Sequence, residues 1–205
     1  MKLAVFALSS LTVAVGFAQD VRPDRVVTLS VSNLQCPKCK TAVEAALKQV
    51  KGVTESSADL VVKTIVVTYD HHLTSAARLV SQLAAVKPLH GKPYEAALLL
   101  SAETLTKEQA DKLITDLKAF KNPLDAEPVG NVVVDLEKKL IAVSFKPVKL
   151  DDPKDRGTDV APLVNAAKKT VATVKAVAPI KEPIKEAVKD AAAKEPAKSK
   201  EPTKK

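Results

Sequence analysis

The chain has two cysteines, and both lie in the motif Cys36-Pro37-Lys38-Cys39. A β-branched run precedes the motif and residues with helical apolar spacing follow it, so the pair is predicted to lie where a strand ends and a helix begins. Two thiols at i and i+3 of a helix start share one face, and their sulfurs can converge on a single soft ion. The thiol chemistry of this protein is therefore expected at this one motif.

Apolar periodicity predicts the elements around the motif. A strand is expected before it and a helix over residues 40–50, with Gly52 at the position of a left-handed helix cap. Strands are predicted over residues 53–59 and 61–69, a helix over 74–86 and a last strand over 94–100. The order β-α-β-β-α-β is typical of the ferredoxin-like sandwich, so the predicted fold class is α+β.

On these residues and this order of elements, the sequence resembles the heavy-metal-associated domain family. The family includes copper chaperones, metal-transporting ATPases and the periplasmic mercury-binding protein, and the resemblance assigns such a domain to residues 26–101. The segments that carry it are Leu34-Gln35-Cys36-Pro37-Lys38-Cys39, Gly52-Val53, Tyr69-Asp70 and Tyr94-Glu95. Leu34 stands where the family usually has methionine, which is a tolerable exchange for a packing residue.

Cys36 and Cys39 are the predicted metal ligands, and neither thiol is expected to lie in the core. A helix N-terminus and the neighbouring Lys38 and Lys40 favour thiolate. Thiolates select soft ions, and two of them suffice for near-linear Cu(I) or Hg(II), whereas zinc usually requires four ligands. Cu(I) is therefore the first choice, Hg(II) the second and Zn(II) a further candidate.

The resemblance implies carriage of a metal rather than catalysis, so we expect a protein that is not an enzyme. Family members commonly pass metal to a partner's cysteines by ligand exchange, and a metal donor or acceptor protein is the expected partner. Exposed lysines of the first helix and its end would present a basic docking surface to an acidic partner. These lysines are Lys38, Lys40, Lys48 and Lys51.

The three histidines fall at two places. In the family's topology His90 lies in a loop at the same end of the sheet as the cysteines, so it is a candidate auxiliary ligand. His71 and His72 follow the third strand and are expected at the opposite end, out of reach of the cysteine site.

Two other function classes remain open. A CxxC motif between a strand and a helix also suits thiol-disulfide exchange, although thioredoxin-like proteins have an aromatic residue where this chain has Gln35. The protein could also be an interaction scaffold that binds no metal. Metal stoichiometry under reducing conditions separates carriage from both.

Residues 1–18 are predicted to be a signal peptide, with Lys2 as its positive region and a small-x-small cleavage site at Gly16-Phe17-Ala18. A periplasmic or secreted location follows, and no later stretch reaches the roughly 18 apolar residues of a membrane span. The formal net charge of +8 suits anionic envelope surfaces. Scattered aromatic residues argue against nucleic-acid binding.

The rest of the chain is predicted to contain a second, degenerate ferredoxin-like unit over residues 102–175, with its last helix over residues 159–174. Its first helix aligns Thr106, the expected N-cap, with Cys36 and Gln109 with Cys39, so this unit should bind no soft metal. The strand over residues 94–100 could serve either unit, and we assign it to the first, which leaves the second incomplete. Residues 176–205, rich in Lys, Ala and Pro, are predicted to be a disordered tail. Two roles are open for this tail: it keeps the protein soluble, or it tethers the protein to an anionic envelope surface.

Overall fold

A computed structural model describes residues 24–122, 128–152, 155 and 157–177. The predicted signal peptide and the tail beyond Val177 lie outside these described residues. The elements, in chain order, are β1 (Arg25–Val31), α1 (Pro37–Lys48), β2 (Val53–Asp59), β3 (Thr64–Tyr69), α2 (Ala76–Ala85), β4 (Ala96–Ser101), α3 (Lys107–Lys118), β5 (Val129–Asp135), β6 (Leu140–Phe145), α4 (Val160–Lys168) and β7 (Lys175–Ala176).

The first six elements form the predicted ferredoxin-like unit. Its strands lie in the order β2-β3-β1-β4, and all neighbours are antiparallel. Alternate residues of β3 are buried, as expected for a sheet with one face covered by helices. Helices α1 and α2 supply that cover with residues such as Val43, Leu47, Leu79 and Leu83, all fully buried.

Strand β4 belongs to both halves of the molecule. One edge pairs with β1 through Ala96–Leu98 and, further along, with β7 through Leu100 and Ser101. The other edge pairs with β6. The assignment of this strand to the first unit alone is therefore wrong. A strand has two hydrogen-bonding edges, and β4 uses them to pair with β1 of the first unit and with β6 and β7 of the second.

With β4 counted, the second unit repeats the arrangement of the first. Its elements run β4-α3-β5-β6-α4-β7, and its strands lie in the order β7-β4-β6-β5, which corresponds to β4-β1-β3-β2 of the first unit. The two units form one continuous seven-stranded sheet. The second unit is thus a complete repeat that borrows its first strand, rather than the incomplete one expected.

Hydrogen bonds join β1, β3 and α2 of the first unit to the second unit. Asp159, at the start of α4, accepts hydrogen bonds from the Arg25 guanidinium and the buried Tyr69 hydroxyl. The Arg78 guanidinium donates to backbone carbonyls of the segment between β6 and α4, and Ser81 Oγ accepts from the Val148 amide at 3.1 Å. These polar groups of the first unit and of the second unit satisfy each other's hydrogen bonds. The two units are therefore expected to unfold together.

Several predicted boundaries differ from the observed ones. Helix α4 ends at Lys168, whereas the helix was expected over residues 159–174. Ala176 and Val177 were assigned to a disordered tail but extend the sheet, because Ala176 pairs with Leu100 and the Val177 amide donates to the Leu99 carbonyl at 3.2 Å. Within the described ranges, no helix combines the length and apolar character needed to cross a bilayer.

Candidate metal centre

The loop after β1 brings the two cysteines together at the start of α1. Cys36 is the N-cap residue, with extended backbone angles, and its Sγ accepts a hydrogen bond from the Cys39 amide at 3.1 Å. Pro37 follows at the first helical position, where its fixed φ suits the helix and its missing N–H costs nothing. The sequence therefore fixes the helix start at the motif itself, and the sulfurs lie beside the positive end of the helix dipole.

The sulfurs of Cys36 and Cys39 lie 2.8 Å apart. They differ in exposure: Cys36 is half-buried, whereas Cys39 is 0% exposed and belongs to the hydrophobic core. The expectation that neither thiol lies in the core is wrong for Cys39, because the third helical position turns its side chain under the helix. The Cys39 sulfur is thus enclosed by the core, whereas the Cys36 sulfur is partly open to solvent.

His90 joins the two cysteines, as its loop position predicted. Its Nε2 lies 3.2 Å from Cys36 Sγ, and the three candidate ligand atoms all lie within 4.8 Å of one another. The cysteine loop and the His90 loop are tied together where each meets the sheet: Asn33 Nδ2 donates to the Pro93 carbonyl at 2.7 Å, and the Ser32 amide donates to the Glu95 carbonyl at 2.8 Å. The two loops therefore form one end of the sheet.

Residues 28–88 match the sequence profile of the heavy-metal-associated domain, and this span contains both cysteines and helices α1 and α2. The chain contains a heavy-metal-associated domain. It is also 26% identical over 131 residues to the probable copper-transporting ATPase HMA5 of Arabidopsis thaliana. That match covers 62% of this chain but 13% of the ATPase, so the chain spans only a small part of that protein's length.

Two solved structures are also similar. Oxidised MerP from Ralstonia metallidurans CH34 is 29% identical, with a TM-score of 0.33, and the match covers 37% of this chain and 97% of that one. The water-soluble region of the P-type ATPase CopA from Bacillus subtilis is 21% identical, with a TM-score of 0.36, and the match covers 76% of this chain and 93% of that one.

Tyr94 is a further residue of the candidate site. Its side chain is 1% exposed and its hydroxyl, close to Cys39, has no hydrogen bond of good geometry to any described group. In the sequence Tyr94 stood out only as part of a segment that carries the resemblance. A tyrosine in a strand predicted to be buried carries a hydroxyl that needs a partner, and that requirement was the available signal.

The environment of Cys39 favours its thiolate. Burial by itself would raise the pKa of this thiol, but interactions with the Cys36 side chain, the Tyr94 hydroxyl and the Gln35 backbone outweigh it and lower the pKa to about 6. Burial and the nearby Cys39 in turn raise the pKa of Tyr94 to about 12. The tyrosine therefore stays protonated and can donate to the thiolate, which is consistent with a soft-metal ligand.

We predict that Tyr94→Phe raises the pKa of Cys39 from about 6 toward its ordinary value of 9.0, because the thiolate loses a donor. Since folding lowers this pKa, the thiolate stabilises the fold above pH 9.0, and this contribution is lost as the pH falls through about 6. Ultraviolet absorbance of the thiolate in the reduced protein measures the shift. Tyr69→Phe, which removes another buried hydroxyl far from the thiols, is the matched control; equal titration curves for the two variants would contradict the prediction.

The predicted basic surface beside the site is reduced by one ion pair. Lys38, Lys48 and Lys51 are exposed, but Lys40 Nζ lies 3.8 Å from Glu44 Oε1. The same Glu44 oxygen accepts the Ala58 amide at 2.7 Å, which holds the carboxylate against β2. Of the four lysines, only Lys38 is then exposed beside the thiols, because Lys48 and Lys51 lie at the other end of the 12-residue helix α1, roughly 15 Å away.

The second unit has a capping box where the heavy-metal-associated domain has its thiols. Thr106 is the N-cap of α3 and accepts the Gln109 amide at 3.2 Å, while the Gln109 side chain accepts the Thr106 amide at 3.0 Å. Cys36 and Cys39 hold the same two positions, N-cap and third helical residue, in α1. The aligned positions are thus structurally equivalent. In the second unit they cap the N-terminus of a helix and offer no sulfur.

His71 and His72 lie at the other end of the sheet, as expected. They follow Tyr69, which pairs with Arg25 at the start of β1, whereas the cysteine loop follows the end of β1. The seven residues of that strand span roughly 20 Å. These histidines therefore cannot contact an ion held by Cys36.

Proposed function

We propose that this protein carries or sequesters Cu(I) in the cell envelope, held by the thiolates of Cys36 and Cys39. The observation that carries the proposal is the pair of convergent sulfurs at the start of α1, one buried in the core and the other half-buried. A resident thiolate at Cys39 keeps the ion on the domain, while the partly exposed Cys36 leaves it open to an incoming ligand.

The ligand atoms of the site determine which metal ion it prefers. Two thiolates suit two-coordinate Cu(I) or Hg(II), and His90 adds a borderline ligand 3.2 Å from one sulfur. Zn(II) would need a fourth ligand from outside this group. The relative described as a probable copper-transporting ATPase supports Cu(I) as the first choice, with Hg(II) second.

Transfer by ligand exchange follows from the same geometry. A partner thiolate can attack the ion on the side of Cys36, form a shared intermediate and withdraw it without release into water. Lys38 would steer an acidic donor or acceptor protein toward this side. The chain then acts as a carrier and catalyses no reaction.

The proposed location rests on the two chain ends outside the described residues. Residues 1–18 have the pattern of a cleaved signal peptide, which directs the protein to the periplasm or outside the cell. The lysine-rich residues 178–205 would tether it to anionic lipid or wall polymer, an association that salt weakens.

The separation of 2.8 Å between the sulfurs favours a second candidate function, thiol-disulfide exchange. Sulfurs in contact need only a small movement to form a disulfide, and an envelope location is oxidising. Formation of that disulfide would remove both thiolates and with them the proposed metal site.

Metal stoichiometry tests the proposal. The reduced full chain should bind one Cu(I), measured by competition with a coloured Cu(I) chelator, and the same protein oxidised to the Cys36–Cys39 disulfide should bind none until it is reduced. Reduced protein that binds no Cu(I) at sub-stoichiometric chelator would contradict carriage and favour the redox or scaffold alternative.

We predict a smaller, pH-dependent contribution from His90. A ligand imidazole must be neutral, so Cu(I) affinity should fall more steeply on acidification in the wild type than in His90→Ala. His72→Ala, which changes a histidine at the far end of the sheet, is the matched control. Identical pH profiles for wild type and His90→Ala would show that His90 is not a ligand.

A further inference from the structure

A second cluster of metal-ligating side chains lies at the end of the sheet opposite the cysteines. One ligand atom each from Asp70, His71 and His72 falls within 4.8 Å of the others, and the two imidazole rings lie 4.0 Å apart between centroids. His72 is exposed, while Asp70 and His71 are half-buried. The cluster is therefore open to solvent on one side and supported by the protein on the other.

The turn that carries these residues is fixed by the backbone of Asp70. Its amide donates to the Gly52 carbonyl at 2.7 Å, and its own carbonyl accepts the amides of Leu73 and Thr74 at 3.0 and 3.1 Å. Gly52 has φ +95, and a Cβ there would lie 2.7 Å from Leu73 Cβ, so the two chain segments meet as closely as glycine allows. The three side chains are thus held on a rigid turn rather than on a loose loop.

The carboxylate of Asp70 serves both the turn and the cluster. Its Oδ1 accepts the His72 amide at 2.8 Å, which leaves Oδ2 available to an ion. The two imidazoles and the carboxylate then offer ligand atoms that lie within 4.8 Å of one another.

This donor set differs in chemistry from the cysteine pair. Imidazole and carboxylate ligands suit divalent first-row transition metals, and the affinity of such a site is highest for Cu(II) in the general order of these ions. Three protein ligands leave coordination positions for water. Soft, thiolate-seeking Cu(I) would prefer the other end of the domain.

We propose that Asp70, His71 and His72 form a second metal site, which binds one divalent transition-metal ion, Cu(II) most tightly. The length of β1 separates it from Cys36, so the two sites fill independently. One domain then has a thiolate site for a monovalent soft ion and an imidazole-carboxylate site for a divalent one.

The test uses the full chain with Cys36→Ser, Cys39→Ser and His90→Ala, which prevents thiol oxidation by Cu(II) and leaves His71 and His72 as the only histidines. Calorimetric titration with Cu(II) should give one equivalent at this site, and electron paramagnetic resonance should show imidazole nitrogen coupling. Adding His71→Ala and His72→Ala should remove that equivalent and the coupling. Retention of both would overturn the proposal.

The chain offers a matched control for adventitious binding. A variant with serine at both cysteines and alanine at His71 and His72 keeps His90 as a single exposed histidine. It should bind Cu(II) about tenfold or more weakly than the variant that keeps the histidine pair, and Asp70→Asn should weaken the pair site by about tenfold, since losing even an outer partner of a ligand typically costs that much. Equal affinities in either comparison would overturn the three-ligand site.

These experiments are separate from those on the cysteine site. Cu(I) binding by the otherwise wild-type chain with His71→Ala and His72→Ala should be unchanged. Loss of the Cu(II) equivalent therefore reports on the far end of the sheet, whatever the outcome at Cys36 and Cys39.

Discussion

Replacement of either cysteine by serine should lower Cu(I) affinity by several orders of magnitude, because a hydroxyl is a hard, neutral ligand and Cu(I) selects thiolate. The two variants should nevertheless differ in stability. Serine is a good N-cap residue, so Cys36→Ser keeps the hydrogen bond to the Cys39 amide and should change the free energy of unfolding by less than about 0.5 kcal/mol.

Cys39→Ser places a hydroxyl where the sulfur is 0% exposed, and it should lower the free energy of unfolding by about 1–3 kcal/mol. Competition with a Cu(I) chelator measures the affinities, and urea unfolding of the metal-free proteins measures the stabilities. Tight Cu(I) binding by the double serine variant would refute the bis-thiolate site. Equal stabilities for the two single variants would show that the burial of Cys39 is energetically unimportant.

The first unit could be predicted from the sequence because its signals are local. Apolar periodicity gives each helix and strand, Gly52 marks a positive φ, and the motif lies at a helix start that Pro37 specifies. The placement of His90 beside the cysteines followed from topology, since the connection between α2 and β4 returns to that end of the sheet. The observed distance of 3.2 Å to Cys36 confirms this placement.

The features that sequence analysis missed depend on long-range packing. Periodicity predicts a strand over residues 94–100, but it does not show which strands pair with its two edges, so the sharing of β4 was not predicted. The short strand β7 was missed because two residues in a Lys- and Ala-rich segment carry no period. The depth of Cys39 and its contact with Tyr94 depend on how α1 lies on the sheet, which no local pattern reports.

The shared strand makes a strong prediction about fragments. A fragment of residues 104–205 contains every element of the second unit except β4, and it should fail to fold and should bind no Cu(I). Leu98 and Leu100 of β4 are fully buried and each contributes about 2–3 kcal/mol on burial, to which the pairing with β6 adds. This loss is comparable with the whole stability of a small domain.

A longer fragment, residues 93–205, restores β4 and is the matched control. It should show a cooperative urea transition and the circular dichroism of a mixed α/β fold, although its Asp159 carboxylate lacks Arg25 and Tyr69 and its stability should be lower than that of the intact chain. It should also bind no Cu(I), because Thr106 and Gln109 occupy the positions of the thiols. Cooperative unfolding of residues 104–205 would contradict the role assigned to β4, since the second unit would then form its sheet without the strand that lies between β6 and β7.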